Sequence, residues 1–322
     1  MTEPIPRHRL ISILLDPRGA TRLDAGELNL VMLQARRAGV LARLGDALDD
    51  AGLLDRVPRK ARDHFRAARI AVRSSQTAVR FEVNRVRRAL VDADTPIVLL
   101  KGAAYMMAGL PPARARLIGD LDVMVPRERI ETVERMLHDR GWKTPVQDDY
   151  DDRYYREWSH EIPPLMHPDR ETAVDVHHTI APLTSRLRPD ASALIAASLP
   201  LAIAPLRVLA PADMVLHSTI HLFNDEVGKP LRDLFDLHDL LCHFGQQAEF
   251  WRELVERAKF LGLGRPLYYM LHQARTLLGT PVPAETIAAA DELGPGSLGA
   301  KFMESAFRRY FLPEPPEGRA SV

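Results

Sequence analysis

The stretch IVLLKGAAYMMAGLPPARARLIGDLDVMV, residues 97–125, decides the fold. Residues 97–100 form a short continuous apolar run, rich in β-branched side chains and ended by Lys101-Gly102. That pattern predicts a buried strand. AAYMMAGL predicts a short helix, stopped by Gly109 and the Pro111-Pro112 pair. Residues 121–125 (LDVMV) predict a second strand.

Working outward, RERIETVERMLHDRG (127–141) predicts an amphipathic helix. Ile130, Val133 and Leu137 share one face and Gly141 is its C-cap. Residues 143–170 mix Pro, Asp and aromatics and predict an irregular connection with one strand near Glu161. TAVDVHHTI (172–180) alternates and predicts a third strand. Upstream, the first ninety residues are helical in pattern: Leu28, Val31, Met32, Ala35, Val40, Leu41 and Leu44 recur near the helical period. A longer helix is expected from Pro58 to about Asp92. Beyond Pro182 helices are expected at 212–224, 229–244, 250–261, 266–278 and 298–311, followed by a fraying tail, PEPPEGRASV. The expected organisation is a helical segment over 1–92, an α/β core over 93–182 and a helical domain over 183–322.

Composition narrows the function. The 322 residues are 46% hydrophobic and 27% charged, which suits a globular chain with a substantial core. Lys+Arg and Asp+Glu both total 43, so the net charge of zero argues against a polyanion coat or a disordered acidic chain. Cys242 is the only cysteine, which excludes an internal disulfide and a cysteine-rich zinc module. The apolar run within 10–15, broken by Ser12, is too short for a secretory core. Residues 191–211 are broken by Pro200 and Pro205 and carry Arg207, so they make a poor membrane span. A cytoplasmic protein with no membrane partner is expected.

The residues that suggest chemistry cluster in the α/β segment. Asp120 and Asp122 are two apart on a strand and therefore share a face. Two adjacent carboxylates repel unless a cation lies between them, and Mg²⁺ binds through one or two carboxylates plus substrate phosphates. Asp175 interrupts an apolar strand whose Val174 and Val176 point the other way, a costly placement unless the acid is paired or metal-bound. Three such acids meeting at one edge would make a two-metal site for in-line displacement at phosphorus. The competing readings are a solvated strand end for Asp120 and Asp122, and a salt bridge to Arg116 for Asp175.

Lys101-Gly102 precedes a helix whose free N–H groups suit a phosphate. Lys101 either adds a point charge there or is a snorkelling surface lysine. Arg116 either neutralises a triphosphate or pairs with acids, with Arg114 as a rival for the role. His177, on the face of Asp175, either touches substrate or caps the site. His217 and His221 are four apart on a helix, a spacing open to zinc, but packing histidines are the favoured reading. From Arg56 to Arg88 the chain carries eleven basic residues against Asp63 and Glu82. A solvated face pairing with acids elsewhere is favoured there over a nucleic-acid track, because aromatic partners are sparse. The acidic run Asp148, Asp149, Asp151, Asp152 lacks the glycine and closing Glu of a calcium loop.

LLKGAAYMMAGLPPARARLIGDLDVMV, followed by VDVHH and then by VLHSTIHLFND and LRDLFDLHDLL, resembles the uncharacterised nucleotidyltransferases of the polymerase-β-like superfamily over roughly residues 85–245. The resemblance implies an α+β fold, with a small mixed β-sheet nucleotidyltransferase core flanked by N-terminal and C-terminal helical segments. It implies transfer of a nucleoside monophosphate from an NTP, ATP among them, to an acceptor hydroxyl with release of pyrophosphate. The implied cofactor is Mg²⁺, with Mn²⁺ as a substitute. The implied catalytic and metal-binding residues are Asp120, Asp122 and Asp175. Lys101, Gly102, Ala103, Arg116 and His177 would face the nucleotide. Ala103 stands where the broad superfamily usually has Gly or Ser, so no hydroxyl reaches a phosphate there. The alternatives are a non-catalytic partner-binding protein that keeps the fold, and a toxin-like enzyme acting on tRNA.

Overall fold

The structure, a computed structural model, describes residues 9–145, 155, 158–224, 229–296, 306–307 and 310–311. The acidic run 148–152, most of the helix expected at 298–311 and the C-terminal tail lie outside the described residues.

The N-terminal quarter is helical: α1 (Arg9–Leu15), α2 (Ala25–Arg37), α3 (Leu41–Asp50) and α4 (Arg59–Ala89). A capping box starts α2, where the Asp24 side chain accepts from the Glu27 N–H at 2.8 Å and Glu27 Oε2 accepts from the Asp24 N–H at 3.2 Å. That arrangement satisfies two donors otherwise orphaned at a helix start. The apolar stripe of α4 buries Phe65, Val72, Val79, Val83 and Val86 against α3 and the sheet layer.

Then follow β1 (Ile97–Leu99), α5 (Lys101–Met107), β2 (Asp120–Met124), α6 (Ile130–Asp139), β3 (Leu165–Met166), β4 (Ala173–His177), α7 (Ala191–Ala197), β5 (Leu199–Pro200) and β6 (Leu206–Val208). The chain closes with α8 (Pro211–Asn224), α9 (Pro230–Phe244), α10 (Ala248–Phe260), α11 (Gly264–Gln273), which runs into a π-helical turn at Ala274–Leu278, and α12 (Ala284–Asp291).

The six strands form one mixed sheet in the order β3-β4-β2-β1-β6-β5. β2 is parallel to β4 and β1 is parallel to β6, while the β1–β2, β3–β4 and β5–β6 pairs are antiparallel. β1 is buried along its whole length, as its continuous apolar run requires. This is the α+β architecture expected, with helices before and after a mixed sheet.

Four strands were expected, one of them near Glu161, and six are present among the described residues. β3, β5 and β6 are two or three residues long, too short for a period-two pattern to register. The strand expected near Glu161 is reduced to a bridge between Glu161 and His177. One continuous buried cluster runs from Leu10 to Phe311, so the helical flanks and the sheet share a core. Among the described residues no helix is long and apolar enough to cross a membrane.

Candidate active site

The parallel pairing of β2 with β4 sets Asp122 directly opposite Asp175, and Asp120 opposite Ala173. Side chains two apart on a strand share a face, and so do register partners. Asp120, Asp122 and Asp175 therefore rise from one face of the sheet, with Asp120 at the exposed mouth and Asp122 buried.

Lys101 supplies the countercharge. Its Nζ donates to Asp122 Oδ1 at 2.7 Å, and His177 Nε2 meets the same oxygen at 2.9 Å. Lys101 reaches it from a left-handed backbone conformation, φ +44°, at the junction of β1 and α5. Burial opposes the charge on Asp122, but Lys101 and the His177 hydrogen bond outweigh it and hold the carboxyl well below the usual range. Burial likewise opposes the Lys101 charge, and Asp122 more than restores it. His177 follows the same pattern: burial lowers it, and Asp122 with Glu161 raises it above the ordinary imidazole value.

The other two aspartates lack such partners. Burial first, then Asp122 and Glu161, push Asp175 up to about 7. Its Oδ1 is buried and accepts no hydrogen bond among the described residues. Partial loss of water around the carboxyl, then the charge of Asp122, raises Asp120. The three carboxylates stand side by side without closing into a tight ligand set. Among the described residues, the group of three whose donor atoms lie within 4.8 Å of one another is His160, Glu161 and His177.

Beside the aspartates opens a cavity of about 290 Å³. Lys101, Gly102, Asp120, Arg116, Lys229 and Arg232 contribute to its wall. Gly102 has a reason internal to the protein: a Cβ there would lie 3.1 Å from Ile118 and 3.2 Å from Arg116 Nε. The missing side chain lets the start of α5 seat against the 116–118 segment. Ala103 is buried.

Arg116 does not reach for Asp175. Its Nη1 donates to Asp233 Oδ1 at 3.0 Å and to Asp236, and its guanidinium lies 5.7 Å from the Tyr105 ring centroid. The acids that Arg116 meets are on α9, not the site aspartates with which the sequence reading paired it, and the arginine still lines the cavity. Arg114 pairs with Asp50 at 2.7 Å instead. His217 is buried and His221 Nε2 lies 4.0 Å from Asp233.

Lys229 and Arg232, at the start of α9, enter the cavity although the sequence offered no sign of them. Their signal, KPLRD ahead of an apolar helix, is that of an ordinary amphipathic start. His160 and Glu161 sit in a connection with no periodicity to read.

The family described as uncharacterised nucleotidyltransferase matches residues 25–279, and the chain belongs to it. The protein is therefore a nucleotidyltransferase, a transferase of phosphorus-containing groups. No curated protein matches the chain. The solution structure of the antibiotic-resistance factor ANT(2'')-Ia is similar at 17% identity, with 62% of this chain and 99% of that chain covered and a TM-score of 0.38.

Proposed function

We propose that the protein moves a nucleoside monophosphate from an NTP to an acceptor hydroxyl, with Asp120, Asp122 and Asp175 as the catalytic carboxylates and a divalent metal as cofactor. One observation carries this reading: Asp175 lies in register beside the ionised Asp122 with a buried oxygen that has no partner among the described residues.

The donor set fits Mg²⁺. It consists of carboxylate oxygens on one sheet face beside a cavity with several cationic walls, and Mg²⁺ takes one or two carboxylates together with substrate phosphates. When bound, the metal would neutralise charge developing on the transferring phosphoryl group. The rest of the work belongs to the chain. Lys101, Lys229 and Arg232 attract the triphosphate tail. Asp175 accepts the proton of the acceptor hydroxyl. That oxygen bonds to the α-phosphorus as the α–β bridging bond breaks, and the electron pair leaves on pyrophosphate. His177 holds Asp122 ionised and oriented. Rate enhancement then comes mainly from positioning and charge neutralisation.

Pyrophosphate release from each of the four NTPs, with Mg²⁺ and cell extract as the source of acceptor, tests the reading. Asp122→Asn and Asp175→Asn are each expected to lower the rate at least about a thousandfold, the scale of losing a main electrostatic contributor. Folded variants that retain metal-dependent turnover would overturn the assignment.

A further inference from the structure

We infer that His160, Glu161 and His177 form a second metal site, built for zinc-type ions and distinct from the carboxylate centre. A ring nitrogen of each histidine and a carboxylate oxygen of Glu161 lie within 4.8 Å of one another. Two imidazoles and one carboxylate are a donor set suited to Zn²⁺, whereas Mg²⁺ prefers oxygen alone.

Two further observations point to a ligand. His177 is almost wholly buried, at 1% exposed, yet its Nδ1 makes no hydrogen bond among the described residues. That nitrogen lies 3.2 Å from Glu161 Oε2 without hydrogen-bond alignment. His160 Nδ1 is likewise buried and unpartnered among the described residues. Meanwhile His177 Nε2 faces Asp122 Oδ1 at 2.9 Å. A histidine that ligates a metal through one nitrogen almost always donates its other N–H to a carboxylate or carbonyl, which fixes the tautomer and the ring plane. His177 is arranged in that way, with Asp122 as the outer carboxylate.

The fold explains why the three meet. Glu161 bridges to His177 in antiparallel fashion, and the His178 N–H donates to the His160 carbonyl at 2.9 Å. The two imidazole rings then lie with centroids 5.1 Å apart. A metal held here would tie the 160–161 segment to β4 and fix the ring that orients Asp122. The inference stands on this cluster alone and does not depend on the nucleotidyl-transfer reading of the aspartates.

The test is titration of the metal-free full-length protein with Zn²⁺, followed by calorimetry. Removing outer partners of metal ligands alone costs about 10–100-fold in affinity. Losing the ligand itself, in His160→Gln, is therefore expected to weaken zinc binding by about a hundredfold or more, with the melting temperature of the metal-free protein unchanged. The double variant Asp120→Asn/Asp175→Asn should bind zinc as the wild type does. Zinc affinity unchanged in His160→Gln, or lost only in the aspartate variant, overturns the site, as does a wild-type protein that binds no zinc. Should His160→Gln fail to fold, X-ray absorption on wild-type protein with one equivalent of zinc decides. Imidazole scattering with Zn–N near about 2.0–2.1 Å supports the site, and an all-oxygen shell overturns it.

Discussion

Lys101 holds a backbone conformation that costs a non-glycine residue about 1–2 kcal/mol. The position at φ +44° sends its ammonium onto Asp122 at 2.7 Å, in the midst of three acids. Without that cation, Asp122 keeps only His177 against the repulsion of Asp120 and Asp175. Breaking a buried pair by removing one partner costs about 3–5 kcal/mol. Lys101→Met is therefore expected to destabilise the metal-free protein by about 3 kcal/mol or more. A divalent cation supplies the same charge by another route, so Mg²⁺ should raise the urea midpoint of the variant more than that of the wild type. Urea titrations of both proteins with and without Mg²⁺ measure this. An identical Mg²⁺ response in the two would mean that Lys101 and the metal do not share the carboxylates.

At the scale of elements, α4 shows how a single buried acid joins distant parts of the chain. Glu82 is 1% exposed on a helix otherwise rich in arginine. It accepts from Trp142 Nε1 at 2.7 Å and from Arg170 Nε at 2.6 Å, and the Arg170 guanidinium lies over the Trp142 ring at 4.6 Å. Glu82→Ala strands both donors and is expected to cost about 3–5 kcal/mol. Glu82→Gln keeps one acceptor oxygen and should cost less. Chemical denaturation of the two variants checks the order; an alanine variant no worse than the glutamine one would refute it. In the sequence Glu82 is merely one of two acids among eleven bases. Its partners are 60 and 88 residues away, and no local pattern carries that information.

The same distinction runs through the site. That Asp120 and Asp122 share a face follows from the two-residue period of a strand, and the helices on either side follow from their 3.6-residue period. That Asp122 lies opposite Asp175 depends on parallel register between strands some fifty residues apart, which packing sets. The basic bias of α4 is partly absorbed by acids on and beside α3: Arg69 meets Asp46 and Asp49, and Arg62 meets Asp55. LRDLFDLHDLL reads as an amphipathic helix. Its acids Asp233, Asp236 and Asp239 are taken up by Arg116 and by Arg43, the latter at 2.6 Å from Asp239. Arg43 lies on α3 and Arg116 just ahead of β2, so the network was invisible until the chain folded.

For the molecule as a whole, the shared core decides how stability responds to pH. Burial, with smaller contributions from Lys101 and His221, holds His217 on α8 well below the ordinary imidazole value. Burial and then His177 bring His160 down to about 3, and burial also lowers His238. Each of these rings holds a proton less readily in the folded protein than in the unfolded chain, which takes it up near pH 6.5. Above pH 6.5 neither state is charged and nothing is lost. Below it the unfolded state binds more protons, so stability falls, by up to about 1.4 kcal/mol per pH unit for each such ring. His177 and Asp175, both raised, act with the opposite sign. The clean measurement is therefore a difference. Wild type and His217→Asn, compared by urea unfolding between pH 7.5 and pH 5, should keep a constant gap above about pH 6.5. Below that point the wild type should lose ground to the variant by a slope approaching about 1.4 kcal/mol per unit. A gap that stays flat down to pH 5 would show that His217 takes up its proton inside the fold, in the polar cluster of Lys101 and His221 rather than in the dry core that α8 shares with the sheet.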